Sequence, residues 1–213
     1  MTPPQREMVT LETARLILRP RRLDDAEALH RAFSDAELMR YWSGPPHASV
    51  EETRADLARD APEWRRWAIT LKGDDTAIGV VVAGEKRQGN VTEIGYILVR
   101  DHWGSGIARE AVSAVIDRIF AEGQRRVFAD TDPDNAPSRA MLEKLGFKLE
   151  AVLRAEWAYM TRPERLQQLA GGVDLFSAIA SRVSFATAFV VTSGWALIGL
   201  VTLVWPAGKR SGR

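Results

Sequence analysis

There is no cysteine among the 213 residues. That excludes disulfides, thiolate-bound zinc and a thiol nucleophile, and it accords with a reducing compartment. Histidine is scarce as well. His30, His47 and His102 stand singly, at no spacing that presents two imidazoles to one metal ion, and read as polar groups of surface or helix. The net charge is only +1, too small to argue for a nucleic-acid partner. The N-terminal stretch MTPPQREMVT carries two prolines and no apolar run, so no secretory signal is expected there. Charge is absent altogether from Val183 to Gly208, after which come Lys209, Arg210 and Arg213. Those three positive charges against a total of +1 leave −2 on the first 182 residues. The chain therefore divides into a mildly acidic body and an apolar tail with a basic end. What remains is an ordinary globular composition, 46% hydrophobic and 27% charged, enough for one sizeable core and an appendage.

In the body, ARLILRP alternates apolar and polar residues and reads as a strand stopped by Pro20. LDDAEALHRAF follows, with Asp24 and Glu27 at capping-box spacing and Leu23 placed to staple onto Ala28, which predicts an amphipathic helix. A short helix, a Gly44-Pro45-Pro46 loop and a helix capped by Ser49 come next. RRWAITLK, AIGVVVAGEK and VTEIGYILV are three strands separated by GDD and RQGN turns. GIAREAVSAVIDRIFAEG carries Ile107, Ala111, Val115 and Ile119 at spacing four, a helix ended by Gly123. Then come strand RRVFADTD, helix NAPSRAMLEKLG and strand FKLEAVLRAEWAYM. Three strands in a run followed by βαβ crossovers predict an α/β (α+β) fold with a mixed, mostly antiparallel central sheet and helices on both faces.

One stretch demands a ligand. DHWGSGIARE, residues 101–110, places two glycines and an alanine between a strand and a helix. A dinucleotide fingerprint needs a third glycine where Arg109 stands. A plain tight strand-to-helix turn is a second reading, and glycines suffice for it. Amides at a helix start point outward unpaired, and small side chains let a phosphate reach them, so the stretch is read as a pyrophosphate cradle.

Three segments occur in order: LETARLILRPRRLDDAEALHRAFSDAELMRYW, then EIGYILVRDHWGSGIAREA, then DPDNAPSRAMLEKLGF. Together, over about residues 10–155, they resemble the GNAT superfamily of acetyl-CoA-dependent N-acetyltransferases. Within it they resemble the ribosomal-protein serine/alanine N-terminal acetyltransferase group. The resemblance places the acyl-CoA loop on Trp103, Gly104, Ser105, Gly106, Ile107 and Ala108, with Trp103 standing where the family has a polar residue. It implies that amides of Gly104, Gly106 and Ala108 hold the pyrophosphate. It also implies that backbone amides of Ile97, Leu98 and Val99 meet the thioester and the pantetheine arm, and that Asn135 lies against that arm. The Ser138 hydroxyl is then expected near the thiol, as the acid.

The chemistry needs a neutral amine, a stabilised carbonyl oxygen and a leaving thiolate, but no enzyme nucleophile. Glu93 is the candidate base. It lies four residues before Ile97, so strand alternation puts the two on one face, and Tyr96 on the other. Tyr41, Trp42 and the SGPPH loop are candidate walls for the acceptor, or else core aromatics. The expected cosubstrate is acetyl-CoA, with no metal, and the expected acceptor is a primary amine, a protein N-terminus before a small molecule. The opposing reading is a non-catalytic acyl-CoA-binding module.

The expected organisation is an acetyltransferase domain over 1–160, a linker over 161–182 and the apolar tail over 183–213. The tail departs from the family. Val183–Trp205 is long enough to span a bilayer, with Trp205, Lys209 and Arg210 as interfacial anchors. That reading makes it one apolar helix attaching a cytoplasmic enzyme to a membrane. The competing reading pairs ATAFVV and ALIGLVTLVW as strands of the sheet.

Overall fold

The computed structural model describes residues 7–85, 90–154 and 199–205. The elements, in chain order, are β1 (Leu11–Glu12), β2 (Leu16–Pro20), α1 (Ala26–Phe33), α2 (Ala36–Met39), α3 (Val50–Leu57), β3 (Trp64–Leu71), β4 (Asp74–Glu85) and β5 (Val91–Leu98). After them come α4 (Ile107–Ala121), β6 (Arg126–Thr131), α5 (Ala136–Lys144), β7 (Lys148–Arg154) and β8 (Gly199–Trp205). Among the described residues the strands form one sheet in the order β1-β2-β3-β4-β5-β6-β8-β7. Its neighbours are antiparallel except β5 and β6.

Each face of the sheet has its own core. Leu16, Leu18, Trp67, Ile69, Ile94 and Leu98 pack under α4, whose Ile107, Ala111, Val115 and Ile119 are all buried as the four-residue spacing predicts. Leu142 of α5 joins them. On the opposite face, Ala68, Val80, Ile97 and Val99 meet Leu29 and Phe33 of α1, Met39 and Leu57. Alternation along each strand divides its apolar residues between these two layers.

The predicted capping box at Asp24 and Glu27 is not the one that forms. A 3-10 turn covers Leu23–Asp25, and Asp25 accepts the Arg22 amide at 2.7 Å. Asp25 also takes both ends of the buried Arg19 guanidinium, at 2.6 and 2.9 Å, while Asp75 meets Arg19 Nε at 2.5 Å. A buried arginine needs its carboxylates more than the helix needs a particular cap, because an unpaired charge there costs about 3–5 kcal/mol. The other predicted caps form. Ser49 Oγ accepts the Glu52 amide at 3.2 Å, and Asn135 Oδ1 accepts the Ser138 amide at 3.3 Å. The histidines, distant in sequence, meet in space: His30 and His47 Nδ1 lie 2.9 and 3.0 Å from Thr53 Oγ1, and His47 stacks on Phe33.

The tail corrects an expectation. Residues 199–205 are strand β8, pairing antiparallel with β6 on one side and β7 on the other. A single apolar helix over Val183–Trp205 therefore does not hold there. A chain entering the gap between two strand edges gains two ladders of hydrogen bonds, which no helix in that place supplies. Of the competing strand segment ALIGLVTLVW, residues 199–205 lie in strand β8. Residues 183–198, like the expected linker at 161–182, lie outside the described residues. Among those described, no helix is long and apolar enough to cross a membrane.

Candidate active site

The sheet carries a split. Parallel pairing of β5 with β6 covers only Val91–Glu93 against Arg126–Phe128. Beyond Glu93 the antiparallel ladder from β5 to β4 continues as far as Leu98, while β6 keeps its pairing with β8 as far as Thr131. The two strands thus part between Glu93 and their C-terminal ends, and two helix starts, those of α4 and α5, stand at the open end.

Ladder parity decides which amides face this split. Val99 donates to the Ile78 carbonyl at 2.8 Å, and the register runs unbroken from there. In an antiparallel pair alternate residues bond to one neighbour, so Ile97 also turns its amide toward β4. The expectation that Ile97 and Val99 offer amides to a thioester is corrected by this parity. Leu98 is the one of the three predicted residues whose amide faces the split, and Tyr96 shares its orientation. The Leu98 carbonyl is taken by the Trp103 indole N–H at 2.8 Å. Arg100 lies over that indole ring, 4.8 Å from its centroid, so Trp103 braces the loop.

The loop itself is shaped for close approach. Gly104 and Gly106 have φ of +70° and +79°, which a side chain disfavours. A Cβ on Gly104 would meet nothing within 4 Å, and one on Gly106 only Arg15 Nη2 at 3.6 Å. Among the described residues, nothing else fills the space above these glycines. Gly106 caps α4 without any side-chain acceptor. Among the described residues, no backbone carbonyl accepts from the amides of Gly104 to Arg109. The Ser105 hydroxyl turns back to the His102 carbonyl at 2.5 Å, and Ile107 is buried in the core, so backbone alone lines the opening beside Ala108. An open groove of about 680 Å³ continues from Gly106 along α4, past Arg15, Arg109, Ser113, Asp117 and Lys144.

Arg15 and Glu110 set the loop's orientation. Arg15 donates to the Ser105 carbonyl at 3.0 Å and to Glu110 at 2.7 Å, while Glu110 also accepts the Thr13 hydroxyl at 2.5 Å and the Arg15 amide at 2.9 Å. Burial pushes the Glu110 carboxyl up, but these donors outweigh it and hold the carboxyl below its usual range. A depressed carboxylate contributes its full stabilisation above the unfolded value, about 4.3, and loses it as pH falls through the folded value. Glu110→Gln at neutral pH is expected to weaken acetyl-CoA binding roughly 3- to 10-fold while the fold persists, read by calorimetry. Wild-type affinity should fall in the same sense only once pH drops below the ordinary carboxylate range, where Glu110 takes up its proton.

The predicted acid and base take opposite sides. Glu93 sits at the vertex of the split, paired with Gly84 and Phe128. Alternation gives it the face of Gly95 and Ile97, where Trp42 overhangs Gly95 and packs edge-on to Phe33. Ser138 lies in the first turn of α5 on the other face, and its hydroxyl is hydrogen-bonded to the Tyr96 phenol. Burial pushes that phenol up to about 12, against a smaller lowering by Ser138. Sequence reading placed Tyr96 on the far face and assigned it no role. The available signal was its parity with Leu98. On the Glu93 side, Tyr41 Oη donates to the Asp134 carbonyl at 3.4 Å, so the segment after α2 reaches the loop before α5.

The sequence matches the family described as "Acetyltransferase (GNAT) domain" over residues 15–148. The chain belongs to the GNAT acetyltransferase family. Among its relatives is the uncharacterised N-acetyltransferase p20 of Bacillus licheniformis, 37% identical over 155 residues, which are 69% of this chain and 86% of the relative. Two solved structures share the fold at low identity. One is a RimL ribosomal L7/L12 alpha-N-protein acetyltransferase in complex with coenzyme A (TM-score 0.67, 17% identity, 93% of this chain and 98% of that one). The other is spermidine N-acetyltransferase from Vibrio cholerae in complex with CoA and spermine (TM-score 0.63, 17% identity, 90% and 95%). A GNAT domain moves an acyl group from acetyl-CoA to an amine, and this chain is an acyl-CoA-dependent acetyltransferase of that family.

Proposed function

We propose that the protein acetylates a primary amine, the α-amine of a protein N-terminus, by direct attack on the thioester of acetyl-CoA. The observation that carries this reading is the split past Glu93, with unpaired loop amides at its open end and a carboxylate and a hydroxyl on opposite faces. The amides of Gly104, Gly106 and Ala108 hold the pyrophosphate, helped by the start of α4. Leu98 and Tyr96 offer amides to the acyl-pantetheine arm, and Asn135 flanks it. Acetyl-CoA brings the activated acyl group and a good leaving group.

Glu93 receives the ammonium proton as the N–C bond forms. The C–S bond breaks with its electron pair on sulfur, toward which Ser138 offers a hydrogen bond. Separating these roles on two faces lets the amine arrive on one side while the thiolate departs on the other. An α-amine titrates near 7.7–8.0 and is partly neutral at physiological pH, whereas a lysine near 10.4 is not. With a carboxylate as base, the α-amine is the easier nucleophile. Trp42 and Tyr41 stand on that face as walls for the acceptor, and the RimL ribosomal L7/L12 alpha-N-protein acetyltransferase shares the architecture.

The test is acceptor-dependent thiol release across peptides with free N-termini and a set of di- and polyamines. Turnover with peptides at least ~10-fold above amines is expected. Glu93→Gln should lower kcat/KM about 100-fold, with acetyl-CoA affinity unchanged. Tight acetyl-CoA binding with no thiol release for any acceptor would overturn the reading in favour of a binding module.

A further inference from the structure

We propose that Tyr96 is a positioning residue of the acyl-transfer site, holding the Ser138 hydroxyl so that its proton points into the split at the departing sulfur. The inference rests on the acetyltransferase reading and adds to it a residue for which sequence gave no role.

The geometry is local. Tyr96 lies three positions beyond the last β5–β6 pair, where the strands have already parted. Its ring packs on the core face under α4, and its phenol crosses to the first turn of α5. Ser138 is held from behind as well, because its amide donates to Asn135 Oδ1. The hydroxyl is thus fixed at both ends of its residue, by a cap and by a phenol from another element.

Counting protons decides the direction of the bond. Ser138 Oγ has one proton and two lone pairs, and the phenol has one proton. If serine donated to the phenol, no serine proton would be left for the split. The phenol's second contact, the Ser138 carbonyl at 3.5 Å, is at the limit of a hydrogen bond. A phenol is a stronger acid than an alcohol, so it is the better donor, and the chain runs from Tyr96 to Ser138 to sulfur. Chains of this kind strengthen each member in a site of low dielectric.

The same comparison limits what the pair does. A phenol titrating at about 12 keeps its proton around neutral pH, where an α-amine is already partly neutral. A thiol titrates near 8.5, so passing that proton to a thiolate is uphill by roughly three pH units. The pair therefore stabilises charge on sulfur by hydrogen bonding and does not supply its proton. The thiolate leaves as such and is protonated from solvent.

Tyr96→Phe removes the phenol and keeps the ring. Expected is a kcat about 10-fold below wild type, with KM for acetyl-CoA within about twofold. Ser138→Ala should lose a similar factor, and the double variant no more than Ser138→Ala alone, since both act through one hydroxyl. Ser138→Thr, which keeps a hydroxyl, should restore most of kcat. A second readout needs no acceptor. CoA alone is titrated on the protein by its thiolate absorbance, and the bound thiol should titrate about one unit higher in Tyr96→Phe and Ser138→Ala than in wild type. Identical thiol titrations in wild type and Tyr96→Phe, or losses in kcat that multiply, overturn the proposal. If the thiol titrations differ as expected but wild type turns over no amine, the positioning role stands and the acetyltransferase reading fails.

Discussion

Removal of residues 173–213 is expected to abolish the protein's cooperative melt and to send it into aggregates. The truncation takes away β8, which supplies the inner neighbour of both β6 and β7, from Val127 against Trp205 to Arg154 against Gly199. Two long strand edges are then bared, each a template for pairing with another chain. A single substitution makes the same point. Thr202 pairs with Asp130 and with Ala151 at the middle of β8, and Thr202→Pro removes a ladder donor from a strand paired on both sides, where proline is not accommodated. Calorimetry and light scattering of both variants provide the measurement. A truncated chain that melts cooperatively, remains soluble and binds acetyl-CoA would show that the tail is dispensable and that β8 is not a working part of the sheet.

Gly106→Val is expected to weaken acetyl-CoA binding at least ~100-fold, equivalent to about 2.7 kcal/mol. Two effects combine. A β-branched residue at φ +79° is strained, at about 1–3 kcal/mol, and relaxes by turning the amides at the start of α4 away from the opening. Its methyls also occupy the space above the loop that the described residues leave clear. Gly123→Val is the control. Gly123 has φ +86° just past the other end of α4 and open space around it, so the substitution carries a similar backbone cost far from the loop. Calorimetric titration with acetyl-CoA should separate the two, with affinity lost at 106 and kept at 123. Unchanged affinity in Gly106→Val would remove the pyrophosphate from this loop.

Elements with strong local codes were legible in the sequence. The spacing of Ile107, Ala111, Val115 and Ile119, the caps at Ser49 and Asn135, and the turns at Gly73 and Gly123 all depend on neighbours a few positions apart. The features missed depend on distant partners. Asp25 abandons the expected cap pattern because Arg19 is buried beside it. His30 and His47 converge on Thr53 through packing alone. The amides of Ile97 and Val99 face β4 because of a register that only the paired strand sets. The tail was ambiguous for a related reason. Its valines and threonines fit a strand and its length fits a span, and the gap between β6 and β7 exists only in the assembled sheet. In the site, the glycine loop was legible as a pattern, whereas the contact between Tyr96 and Ser138 joins a strand to a helix 42 positions further on.

The position of β8 has a consequence for the newly made chain. Strand β7 ends at Arg154, yet the strand that separates it from β6 begins only at Gly199. At roughly 5–20 residues per second, several seconds of synthesis pass between the two, and more before the segment clears the ribosome. During that interval β1 to β5 and α4 have all their partners, while β6 waits with one edge open. The acyl-CoA half of the molecule is therefore complete on the ribosome before the wall opposite it is secured. A nascent chain stalled between 155 and 198 presents β6 with a bare edge beside the cleft.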